Sequence, residues 1–144
     1  MIAPRRANSR RRSGTSVVEM ALVLPLLLIL IFAIGEFSIA FTQWQTITNA
    51  AREGARVGIV FRGTNCNVGT VQTQIQQTID NYVIAAGLSA GSVSLIPAPT
   101  GVCGGTGTPL TVNARIPYQF QMLPGLAGLQ PQIMLSATSV MRNE

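Results

Sequence analysis

The chain has 144 residues, a formal net charge of +5 and 47% hydrophobic residues, which leaves room for one modest globular domain beside a membrane segment. The charge is lopsided, because Arg5, Arg6, Arg10, Arg11 and Arg12 precede residue 15 whereas residues 15–144 hold five Arg against five acids; a basic leader on a neutral chain argues against nucleic-acid recognition, which needs cations clustered on a folded face. With no His and a single Asp, neither a catalytic triad nor a metal-bound water can be assembled, so no enzyme, cofactor or metal is expected.

Residues 1–14 are rich in Arg, Ser and Asn without apolar periodicity and read as a disordered cytoplasmic leader removed on processing. From Val17 to Phe41 the chain is apolar almost throughout, with no charge between Glu19 and Glu36. A helix needs roughly 20 such residues to cross a hydrocarbon core of about 30 Å, so this stretch reads as a membrane helix. Basic residues stay on the cytoplasmic side. The expected topology is therefore a single pass with the N-terminus inside, residues 15–61 forming the N-terminal helix and residues 62–144 an exported domain. Pro25 removes the helix bond toward Ala21, a loss that membrane helices tolerate, and a slight kink is expected there. Glu36, beside Phe37, Phe41 and Trp44, is expected to mark the outer interface, with fibre packing as the other reading.

Three processing outcomes are open. A cut after Gly14 keeps the helix on the mature chain; a conventional signal peptidase acting at Ser38-Ile39-Ala40 releases a protein starting near Phe41; no cut leaves a signal anchor. The first is favoured by Gly14 standing directly behind the basic block and by Glu19, about one helical turn from the amine that cleavage would create on Thr15. A solvated Glu19 that simply opens a helix, where its charge suits the dipole, is equally compatible.

From Gln43 to Val60 the apolar positions Ile47, Ala50, Ala51, Gly54, Val57 and Gly58 recur at steps of three and four, so the helix should continue beyond the membrane with a stripe of small residues that admits close neighbours. Arg52, Glu53 and Arg56 occupy its polar side and read as structural. Residues 62–67 break the helix. A second one follows, with Val68, Val71, Ile75, Ile79, Tyr82 and Val83 on its apolar face, ending at Ala86-Gly87 in a glycine cap. The period then changes to two: Val93 with Leu95, then Val112, Ala114 and Ile116, then Ile133, Leu135 and Ala137 read as half-buried strands. Pro/Gly-rich connectors at 97–109 and 123–131 separate them. The fold class is α+β: a long N-terminal membrane helix extending into a small exported domain with a second helix and a short antiparallel sheet. Cys66 and Cys103 are the only cysteines, and on the exported side a disulfide is the default, with two buried thiols as the alternative.

Gly14 followed by Thr15-Ser16-Val17-Val18-Glu19 resembles the processing motif of type IV pilin-like proteins, a Gly with a Glu five residues later. More narrowly, Val18-Glu19, Leu24-Pro25, Glu36 and Ala51-Arg52-Glu53-Gly54-Ala55-Arg56 together resemble the TadE-like pseudopilins of tight-adherence (Flp) pilus systems, over about residues 10–60 with a weaker echo in Ser139-Val140-Met141-Arg142. Met20 departs from the Tyr expected after the Glu in the major Flp pilins, and the chain is far longer than those. The resemblance therefore implies a minor pilin that contributes to pilus assembly and surface adhesion. Its implied partners are a prepilin peptidase cutting between Gly14 and Thr15, other pilins or pseudopilins, the assembly platform with its ATPase, and the membrane. Glu19 would serve assembly and register, in the inner membrane or in an extracellular filament. The competing expectation is a signal-anchored or secreted binding domain outside any filament.

Overall fold

The long helix comes first because Val, Leu, Ile and Ala dominate its sequence and nothing before Gly58 interrupts it. In a computed structural model, which describes residues 10–60, 65–89, 91–121 and 132–144, α1 spans Arg10–Gly58, 49 residues, or about 74 Å at 1.5 Å per residue. It passes through Pro25 without a break and starts at Arg10, inside the segment expected to be disordered. Arg is a good helix former, and a single Gly14 costs a growing helix only about 1 kcal/mol. The helix ends at Gly58, short of the expected residue 61. Residues 1–9 of the leader, residue 61, and residues 62–64 of the helix break lie outside the described residues.

The second helix, α2 (Val68–Ala85), is started by Asn67, whose side chain accepts the Thr70 N–H at 3.1 Å. It ends as the glycine predicts. Gly87 takes φ +83°, its N–H donates to Ile84 O at 2.9 Å, and the Leu88 N–H donates to Val83 O at 2.9 Å, the paired bonds of a left-handed C-terminal cap. Val71, Ile75, Ile79 and Val83 are buried, a strict step of four. Val68 and Tyr82, expected on that face, are exposed; Val68 sits in the first turn and Tyr82 about 100° around the helix from Val83.

Three antiparallel strands follow in the order β1-β2-β3: β1 (Ser94–Leu95), β2 (Pro109–Gln119) and β3 (Gln132–Arg142). β2 and β3 pair along their whole lengths, Pro109 opposite Arg142 and Gln119 opposite Gln132. Strict alternation on β2 buries Leu110, Val112, Ala114, Ile116 and Tyr118, so the strand is longer at both ends than the three inward residues foreseen. Two prolines hid those ends. Pro109 is the first residue of β2 and Pro117 lies beyond its pairing with β1, the kinds of place where a missing N–H is tolerated. On β3 the inward residues are unevenly covered: Ala137 and Ser139 are buried and Leu135 half-buried, while Ile133 is exposed. The connector at 123–131 lies outside the described residues. The other connector folds back on β2 through a Thr100–Thr111 bridge, at a turn where Gly101 has φ +79° and a Cβ would sit 2.0 Å from Pro109 O.

One core joins all of this. Ile47, Ala50, Ala51 and Ala55 of α1 meet Val71, Ile75, Ile79 and Val83 of α2 and the inner face of the sheet. The small residues set the spacing: a Cβ on Gly54 would fall 2.8 Å from Ile79 Cδ1, and one on Gly58 2.5 Å from Leu110 Cδ2. Cys66 and Cys103 form a disulfide with Cα atoms 5.7 Å apart, closing the loop of residues 66–103 beside this core.

Candidate functional site

The feature that organises the molecule is a change of environment along α1. Its first half presents Val17, Leu22, Leu26, Leu30 and Ile34 to the outside, each more than half exposed; its second half packs one face, with Ile47, Ala50, Ala51 and Ala55, into the core. By length and composition the exposed part is a candidate membrane span, with a mean hydropathy of 2.9 in its most apolar window and none of that window buried. Glu19 is exposed near the start of this part, Pro25 within it, and Gly14 stands where an added Cβ would meet nothing within 4 Å. The Gly14–Thr15 bond lies within the helix.

The change of environment falls at Glu36. Only 3% exposed, its side chain is turned into its own chain. Glu36 Oε1 accepts the Tyr118 hydroxyl and, at 2.8 Å, the Gln121 N–H. The same hydroxyl lies 3.2 Å from the Glu36 main-chain oxygen. Tyr118 is held for this by β2, whose inward parity places it over α1, and by the Phe120 ring standing edge-on at 5.7 Å. Burial, then the hydrogen bond to Glu36, then the charge of Glu36 push the Tyr118 phenol up to about 12. Sequence reasoning named Glu36 but missed Tyr118 and Gln121; the period-two pattern of β2, run one step past Ile116, would have found the tyrosine.

Two further contacts continue the seam. The Trp44 indole N–H donates to Ser136 O of β3 at 3.1 Å, and Phe37, Phe41 and Trp44 follow one another with ring centroids 6.0 and 5.8 Å apart. Ser38, Thr42 and Thr46 each donate to the carbonyl four residues earlier, all at 2.9 Å, so these hydroxyls are satisfied within the helix. They line a groove of about 280 Å³ against Ala86 and Leu88 that has no charged residue in its wall. Among the described residues no three His, Cys, Asp or Glu gather as metal ligands would.

An exposed apolar helix, long enough to cross a membrane, thus runs into the core of a small α+β domain. Residues 14–56 match the family model described as TadE-like protein. The likeness is confined to that segment of α1, and residues 57–144 lie beyond it. No curated protein and no solved structure matches the chain.

Proposed function

We propose that the protein is a minor pilin of a tight-adherence system, stored in the inner membrane with its domain outside and cut by a prepilin peptidase between Gly14 and Thr15. The observation that carries this reading is the Glu36 contact. Signal-peptidase cleavage at Ser38-Ile39-Ala40 would delete the residue that receives Tyr118 and Gln121, so the domain is built to keep its helix. That weighs against the secreted alternative.

The mechanism then follows from charge and packing. Five arginines tethered to the helix oppose its withdrawal from the bilayer, since each costs about 2.5 to 3.5 kcal/mol near the membrane centre. Their removal unlocks extraction. The exposed stretch can exchange lipid for the flanks of other pilin helices, with Glu19 and the Thr15 amine setting register. Because α1 runs unbroken from the span into the core, a pull on the domain reaches the span through one rigid rod. On this reading the protein contributes assembly and adhesion, and no catalysis. N-terminal sequencing of membrane-extracted protein should give Thr15, and Gly14→Ala should leave uncut chain in the membrane; a native start near Phe41 would overturn the proposal.

A further inference from the structure

We infer that the domain rests on the outer leaflet through a second element, the β2–β3 end, with Ile133 and Met134 of β3 and Phe37 and Phe41 of α1 seated in the lipid interface. The inference rests on the membrane reading of α1. Three observations carry it.

Position comes first. Tyr118 and Gln121 are bonded to Glu36, so the end of the β2–β3 pair is held at the helix level where the exposed apolar part stops. Residues 17–35 rise about 28 Å, close to the thickness of a hydrocarbon core. The sheet end therefore stands at the exit of the helix and not above it.

Exposure comes second. Phe37 is 69% exposed and Met134 54%, and Ile133 is exposed although its parity points it inward. The Trp44 bond to Ser136 links the two sets: Ser136 is two residues from Met134, and Phe37 and Phe41 continue the Trp44 row toward the span.

Charge is the third. The described residues 116–121 and 132–141 include no charged residue, whereas solvent-facing strand ends of a small soluble domain normally carry some. An interfacial surface of aromatic and aliphatic side chains without charge fits the headgroup–acyl boundary of a bilayer. It does not need an anionic lipid.

The test uses the full chain in phosphatidylcholine vesicles with and without bromine distributed along the acyl chains. Trp44→Phe removes the one native tryptophan, and in that background Leu24→Trp, Met134→Trp and Val140→Trp each report one position. Val140 faces the same side of β3 about 20 Å further along the strand. The expected result is bromine quenching and a blue-shifted emission at positions 24 and 134 and neither at 140. Quenching at 24 without quenching at 134 overturns this inference and leaves the membrane reading standing. Absence of quenching at 24 overturns both. A blue shift at 134 that is independent of bromine and grows with protein concentration assigns the surface to a second copy of the chain and also overturns the inference.

Discussion

The hydroxyl of Tyr118 on β2 donates to the carboxylate of Glu36 on α1, 82 positions earlier in the chain. Both are buried, and the bond ties the outer end of the sheet to the point where the helix turns from exposed rod to core element. Losing one partner strands the other, which makes the pair measurable.

Tyr118→Phe should destabilise the domain by about 1–3 kcal/mol, and Glu36→Ala by about 2–5 kcal/mol because it strands both the hydroxyl and the Gln121 N–H. The double variant should cost less than the sum, with a coupling of about 1–3 kcal/mol. Near-ultraviolet circular dichroism of the detergent-solubilised chain during unfolding reads all three. Strict additivity would mean that the two side chains do not share an interaction.

The same pair gives the domain an alkaline limit. Tyr118 ionises near 10 when unfolded and is pushed up to about 12 in the fold, so between these values the folded state holds a proton that the unfolded state has released. Stability from this group is full below pH 10 and is lost as pH rises toward 12. Phenolate absorbance should show a tyrosine titrating near 12 that disappears in Tyr118→Phe, and the variant should lose this part of the pH dependence of unfolding.

Glycines at three levels of α1 should respond in opposite ways. Gly58→Ala drives a methyl to 2.5 Å from Leu110 and 2.9 Å from Ile75, and overpacking of about 1–3 kcal/mol outweighs the helix gain of up to about 1 kcal/mol. Gly54→Ala meets Ile79 at 2.8 Å and should also destabilise. Gly14→Ala meets nothing and should leave domain stability unchanged while blocking maturation. Denaturant midpoints of the three variants, set beside their N-terminal sequences, separate packing from processing.

Removing the Cys66–Cys103 bridge with Cys66→Ser and Cys103→Ser together should cost about 4 kcal/mol in the chain-entropy account for a loop of this size. Cys103 also adopts φ +58°, a conformation that side-chain-bearing residues seldom take. The drop in denaturant midpoint on reduction of the native chain should match that of the double serine variant. A much smaller drop would show that the loop is held mainly by its other contacts, such as the Asn143 side-chain bond to Gly101 O at 2.8 Å.

Order along the chain was written in local patterns. The apolar run from Val17, the small stripe at Ile47–Gly58, the step of four on α2, the glycine at its end and the alternation on β2 are each set by neighbours a few residues apart, and so was the family resemblance, which needs only residues 14–56. The Cys66–Cys103 bridge was expected on other grounds, the even count of cysteines and the compartment expected for residues 62–144. What only the tertiary structure decided is how these pieces slide against one another. Gly54 and Gly58 admit Ile75, Ile79 and Leu110 at a single depth, and that depth carries the end of β2 down to Glu36. A carboxylate that looks from its neighbours like a membrane-edge residue therefore becomes a buried acceptor for a tyrosine, because pairing across 82 positions depends on packing distance, which no local period records.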